Sequence, residues 1–166
     1  VNDESAAAVE TELASRCGRV YAARLQRQEP VHCACNRVQL RGTSVICGGL
    51  GGLGLRAASE MVLHGVDAML LTSRSGRVVR SGQRLEEQLR AILASPGCAV
   101  QVLACDVSEG VGAQALMRAA VSSGHPLRSV LHAAGVGAAC LLMEVQSASV
   151  PALFGPKARA AWHLHC

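Results

Sequence analysis

Aromatic side chains are almost missing from this sequence: its 166 residues include one Trp, one Tyr and one Phe. Stacked rings therefore cannot build the core. Half of the residues are apolar, so the interior has to be filled by Ala, Val, Leu and Ile. That is the composition of β-strands covered on both faces by helices. Charge is sparse too. The net charge of +4 is spread thinly, and no basic run has aromatics interleaved with it, which argues against DNA or RNA as a partner. No apolar run approaches the roughly 18 residues that span a bilayer. The opening Val-Asn-Asp-Glu lacks the basic and apolar regions of a secretory signal. The expectation is a cytoplasmic protein with no membrane partner.

Cysteine, by contrast, is plentiful, with eight in the chain. Cys47, Cys98 and Cys105 fall in or beside predicted strands and read as reduced, small apolar residues. Cys33 and Cys35 beside His32 resemble half of a metal site, yet no second pair follows at zinc-finger spacing. His163 and His165 around Leu164 are read the same way, and no metal is expected.

What the sequence does contain is concentrated at Thr43–Gly54, Thr-Ser-Val-Ile-Cys-Gly-Gly-Leu-Gly-Gly-Leu-Gly. A short β-branched strand, Ser44–Cys47, runs into glycines at 49, 51 and 54, and a helix starts at Gly52–Leu53. This is the spacing G-x-G-x-x-G. The first glycine permits a tight turn, the second lets backbone approach a pyrophosphate, and the third lets helix pack close to strand. Residues Gly48, Gly49, Leu50, Gly51, Gly52, Leu53 and Gly54 are thus candidates for holding a dinucleotide at a helix N-terminus.

From there strand and helix alternate. Gly52–His64 is helical, with Leu53, Ala57 and Met61 on one face, and Gly65 ends it. Asp67–Thr72 is a second strand. Leu85, Leu89, Ile92 and Leu93 form a helical face stopped by Pro96-Gly97. Ala99–Cys105 is a third strand, and Ser108 is expected to cap the helix through Val111, Ala115, Leu116 and Ala120. Arg128–His132 is a fourth strand. A last helix runs from about Ser147 onward, interrupted near Gly155-Pro156. Four strands with three intervening helices imply an α/β fold, a Rossmann-like doubly wound parallel sheet. Residues 1–41 stand outside this rhythm and read as the tail of a preceding module plus a linker, Val9–Leu13 helical and Gly18–Leu25 extended. Residues 42–166 form the nucleotide-binding portion. The chain starts without Met and stops after a helical pattern, so it reads as a piece of something longer.

Ligands of such sheets sit outside the carboxyl ends of the strands. Strand two ends in Thr72-Ser73-Arg74-Ser75-Gly76, about twenty residues past the glycines, where an NAD site places an acid for the ribose 2′-OH. Arg74 between Ser73 and Ser75 suits a 2′-phosphate instead, hence NADPH; the bland alternative is a solvated surface arginine. Strand three ends in Cys105-Asp106-Val107. Asp106 has two readings there, an acceptor for the adenine amino group or an ordinary aspartate ahead of a helix. Strand four ends in His132-Ala133-Ala134-Gly135, whose small residues let backbone lie against the nicotinamide side.

Gly48–Gly54, Ser73–Gly76, Cys105–Val107 and His132–Val136 together resemble the ketoreductase domain of modular polyketide synthases, a member of the short-chain dehydrogenase/reductase superfamily. Gly155-Pro156-Lys157-Ala158-Arg159-Ala160-Ala161-Trp162-His163-Leu164-His165 resembles that family's Pro-Lys-x-x-(Gly/Ala)-Ala-x-x-Leu-His helix. Arg19–Leu25 resembles the last strand of the subdomain that precedes it. The resemblance implies NADPH-dependent reduction of a β-ketoacyl group borne by an acyl carrier protein, with other synthase modules as partners, in polyketide or fatty acid synthesis. It also implies a catalytic role for Lys157, lowering the pKa of a proton-donating Tyr while a Ser holds the substrate oxygen.

The departures from the family pattern are specific. The family's Ser and Tyr follow its Lys, whereas this sequence continues for nine residues past Lys157 and its one tyrosine is Tyr21. The expectation is an incomplete catalytic set and a sheet incomplete on its C-terminal side, with strands one and four exposing an edge or a face and the isolated chain only marginally stable. Cys47 stands where relatives carry Thr or Ser, and no acid follows Gly135, which leaves the stereochemical class open. Two other readings stay open: a degenerate reductase kept as scaffold or NADP-binding module, and a different nucleotide or S-adenosylmethionine fold with a similar turn.

Overall fold

The computed structural model describes residues 13–22, 39–80, 82–137 and 141–166. The chain divides into two compact units, Val1–Cys35 and Asn36–Cys166.

In the first unit, β1 (Leu13–Arg16) pairs antiparallel with β2 (Arg19–Ala22). Cys17 and Gly18 between them both have positive φ, 49° and 72°, the mirror-image turn whose twist matches a two-residue hairpin. Leu13 is therefore a strand residue, not the end of a helix over Val9–Leu13. Residues 9–12, the Cys33/Cys35 pair and 23–25 lie outside the described residues.

In the second unit a four-stranded parallel sheet has the order β5-β4-β3-β6, with β3 at Thr43–Cys47, β4 at Ala68–Ser73, β5 at Ala99–Ala104 and β6 at Leu127–His132. The pleat sends alternate residues to opposite faces. Ile46, Met69 and Leu71 meet α1 (Gly52–Leu63) and α2 (Leu85–Leu93) through Leu55, Ala58, Leu85 and Ile92. Val45, Cys47 and Leu70 meet α3 (Gly110–Val121) through Leu116 and Ala120, with Ala160 beside them. Helices on both faces make the sheet doubly wound, as expected.

Strand one, β3, exposes neither edge nor face, contrary to expectation. Every one of its residues is buried, because β4 and β6 flank it on either side. The edges are β5 and β6, and Val130 on β6 is 40% exposed. Two hydroxyl pairs fasten β6 and the turn before it to the centre: Ser44 Oγ lies 2.7 Å from Ser129 Oγ, and Thr43 Oγ1 lies 2.6 Å from Ser123 Oγ.

The C-terminal helix is not broken at Gly155-Pro156. A 3-10 turn at Ser147–Ser149, α4 (Val150–Phe154), a wide π turn at Gly155–Arg159 and α5 (Ala160–His165) follow one another without a gap. Such wide turns absorb a residue that the regular ladder cannot place.

Candidate cofactor site

From β3 the chain moves outward through β4 to β5, then returns past β3 to build β6. This reversal leaves a crevice at the carboxyl ends between β3 and β6, where doubly wound sheets hold ligands. The glycine turn occupies that crevice.

Most of its glycines are demanded by the protein's own packing. Gly48 has φ +76°, and a Cβ there would stand 2.7 Å from Ala134 N and 2.8 Å from the Ala133 carbonyl. A Cβ on Gly49 would come within 2.8 Å of Ile46 O, while its N–H donates to Thr72 O at 2.9 Å. A Cβ on Gly54 would strike Gly48 O. Gly51 differs. Its φ is −86°, and a Cβ would meet only Gly48 O, at 3.3 Å. The fold barely requires glycine at 51, yet the position faces open space in front of α1. Gly51 caps α1 without a side-chain acceptor, and the first turn contains no acid. The positive end of the helix is left for an external anion.

One cleft of about 350 Å³ gathers the ends of all four strands. Gly48, Gly51, Gly52, Leu53 and Gly54 line it from the turn, Ser73 and Arg74 from β4, Cys105, Asp106 and Val107 from β5, and Ala133, Ala134 and Gly135 from β6. Five sequence candidates stand apart from its lining. Gly49 is buried beneath the turn, and Leu50 packs its side chain into the core at 3% exposure. Ser75 lines a neighbouring depression with Ser73, Arg74 and Val79. His132 points its Nε2 at Lys157 O, 3.2 Å away. Lys157 packs behind the lining residue Gly135, where an added Cβ would be 3.3 Å from Lys157 Cε.

Thr72, Arg80, Val136 and Pro156 also line the cleft. Thr72 and Val136 adjoin residues named from the sequence. Pro156 precedes Lys157, and Arg80 lies in a loop that no periodicity places.

Local hydrogen bonds shape both polar loops. Ser75 Oγ accepts from Arg77 N–H at 3.3 Å, and the Ser73 and Ser75 hydroxyls both reach Arg77 O, which turns the loop and leaves Arg74 exposed at the cleft. Asp106 Oδ1 accepts from Ser108 N–H at 2.9 Å and Ser108 Oγ at 2.7 Å. The Ser108 hydroxyl is the largest influence holding the Asp106 carboxyl below the usual range; partial burial opposes it, and the Ser108 N–H and the Arg74 guanidinium add smaller pulls. Ser108 therefore does not cap α3. Its hydroxyl is spent on Asp106, and Glu109 takes the capping position, without a side-chain bond.

Burial pushes the Cys47 thiol up to about 11, against a weaker pull from the Thr72 hydroxyl, so Cys47 is an inert core residue. Cys47, Cys98 and Cys105 are all free thiols. Among the described residues no cluster of His, Cys, Asp and Glu fits a metal, and no helix is long and apolar enough to cross a membrane.

The KR domain family model matches residues 42–166. The chain belongs to the KR domain family. KR domains are nicotinamide-dependent reductases, and the relatives of this one are multidomain synthases. It is 35% identical over 156 residues to the spectinabilin polyketide synthase system protein NorA' of Streptomyces orinoci, covering 93% of this chain and 4% of that protein. It is 37% identical over 124 residues to a mycocerosic acid synthase-like polyketide synthase of Mycolicibacterium smegmatis, covering 75% of this chain and 6% of that protein. This KR chain thus spans a small fraction of the length of the curated relatives it matches. A solved structure of A-type ketoreductases from a modular polyketide synthase superposes with a TM-score of 0.70 at 31% identity, over 94% of this chain and 32% of that one.

Proposed function

We propose that this chain is the NADPH-holding portion of a cytoplasmic polyketide-synthase ketoreductase. The parent reaction is reduction of a β-ketoacyl thioester, carried on an acyl carrier protein, to the β-hydroxyacyl thioester. The observation that carries the reading is Gly51. A glycine that packing barely requires stands before an uncapped helix, in the same cleft as Arg74.

The residues present fit the cofactor. The α1 N-terminus and the backbone of Gly51 and Gly52 suit a diphosphate. Arg74, held outward by the Ser73–Arg77 turn, suits a 2′-phosphate that a carboxylate would repel. Asp106 has one oxygen engaged by Ser108, and its other oxygen suits the adenine amino group as an acceptor. Ala133, Ala134 and Gly135 offer flat backbone to the nicotinamide end, and the Lys157 ammonium brings positive charge beside Gly135. When bound, NADPH supplies the hydride. Lys157 then belongs where negative charge develops on the reduced oxygen, and a proton-donating Tyr and an oxygen-holding Ser complete the set in the parent enzyme.

Titrating the chain with NADPH and NADH, followed by nicotinamide fluorescence, tests this. NADPH should bind at least about tenfold more tightly, and Arg74→Ala should sharply reduce the difference. Equal affinity in the unaltered chain would point to another nucleotide fold, such as an S-adenosylmethionine site.

A further inference from the structure

The cleft holds a second arginine that the turn-and-loop pattern does not include. Arg80 lines it together with Arg74, and the two reach it from different points of the β4–α2 connection. That connection is anchored on either side of Arg80. Val78 packs against the core formed by α1 and α2, and Leu85 at the start of α2 is 3% exposed. Near its end the connection also crosses the glycine turn: a Cβ on Gly52 would meet Gln83 Oε1 at 2.9 Å and Leu85 Cδ2 at 3.9 Å. Arg80 therefore lies between Val78, packed on the core, and Gln83, whose side chain reaches the α1 N-terminus.

Arg84 pairs with Glu87 at 2.6 Å and Arg90 with Glu86 at 3.2 Å, which accounts for the nearby carboxylates of α2. Arg80 has no ion pair among the described residues, and neither has Arg74. Among the described residues the one carboxylate lining the cleft is Asp106, already engaged by Ser108. Two arginines line one cleft without an ion-pair partner among the described residues, and the acid that shares the cleft is engaged by Ser108; together they suit a dianion. A phosphate monoester presents three oxygens, and one guanidinium fork engages two of them, so a second fork has an oxygen left to take.

We propose that Arg80 is a specificity-determining residue, the second cationic arm that grips the 2′-phosphate opposite Arg74. The inference rests on the NADPH reading above and adds to it a residue whose loss is felt by one nucleotide and not by the other.

The test uses the intact chain and its Arg80→Ala, Arg80→Lys and Arg74→Ala variants, each titrated with NADPH and with NADH at two salt concentrations. Arg80 is exposed, so the variants should unfold at the same denaturant midpoint as the parent. Arg80→Ala should weaken NADPH binding about tenfold and leave NADH unchanged, and Arg80→Lys should fall between, as a point charge replaces a fork. The NADPH penalty should shrink at high salt. An unchanged NADPH preference in Arg80→Ala overturns the assignment while leaving the cofactor reading intact. Equal weakening of both nucleotides places Arg80 on the shared diphosphate and also overturns it. If the unaltered chain itself shows no preference for NADPH, the reading beneath fails, and this inference goes with it.

Discussion

His132 Nε2 lies 3.2 Å from the carbonyl oxygen of Lys157, so the end of β6 is tied to the π turn that carries the lysine. A carbonyl oxygen only accepts, hence Nε2 carries the proton and Nδ1 is the bare nitrogen. Nδ1 is buried without a partner, which suits that tautomer, because a bare nitrogen leaves no donor unsatisfied there. His132 was a cofactor candidate by its place at a strand end. The contact its ring makes is with the backbone that positions Lys157. Replacing it with Ala should cost about 1 kcal/mol of stability. Amide exchange should quicken at Gly155–Ala160 before it does so in β3, and uniform quickening would show that the bond does not hold the turn.

The glycines of the turn should separate into two classes. Gly48→Ala forces a side chain into left-handed backbone and onto Ala133 and Ala134, and should destabilise the chain by about 3 kcal/mol. Gly51→Ala should leave the unfolding free energy within about 0.5 kcal/mol of the parent, yet weaken NADPH and NADH alike, since the added methyl meets the diphosphate. A Gly51→Ala chain that binds normally would remove Gly51 from the site.

Two carboxylates should shape the acid limb of stability. Asp67 accepts from Gly42 N–H at 2.6 Å and pairs with Arg41 at 3.1 Å, and the Gly42 bond is the main cause of its lowered pKa. Asp106 is lowered chiefly by the Ser108 hydroxyl. A carboxyl held lower in the folded chain adds stability above its unfolded pKa and loses it as pH falls through the folded value. The urea midpoint should therefore hold from pH 7 to about 5 and drop below about 4. Asp67→Asn should lower the midpoint at pH 7 and flatten the acid limb; an unchanged limb would count against both contacts.

Thiol chemistry should follow burial. At pH 8 a thiol with its pKa near 11 is ionised to about one part in a thousand, so Cys47 should resist alkylation in the folded chain. Among the described cysteines, Cys17 and Cys166 are exposed and should be modified before Cys47, Cys98 and Cys105. Peptide mapping after brief iodoacetamide treatment, with and without urea, reads this directly. Rapid labelling of Cys47 without urea would mean that the sheet opens at β3.

Much of the site was legible because its parts are local. The G-x-G-x-x-G spacing sits on one strand-turn-helix unit, and its function follows from backbone that only glycine permits. The strands ending at Ser73, Ala104 and His132 could be read as apolar runs, and a parallel sheet brings their ends together by construction. Leu50 was a harder case. It lies within the motif, but the turn directs its side chain inward to the core, and no spacing reveals that.

Sequence alone determined the doubly wound plan, the turn and the presence of Arg74 at the end of β4, since each follows from side chains a few positions apart. Tertiary structure decided that strand one is fully enclosed, that Ser108 serves Asp106 instead of capping α3, that His132 steadies Lys157, and that Arg80 reaches the cleft. These depend on contacts between segments far apart in the chain, or on how an irregular loop is pinned. Periodicity has nothing to say about such contacts, because their partners are chosen by packing and not by spacing.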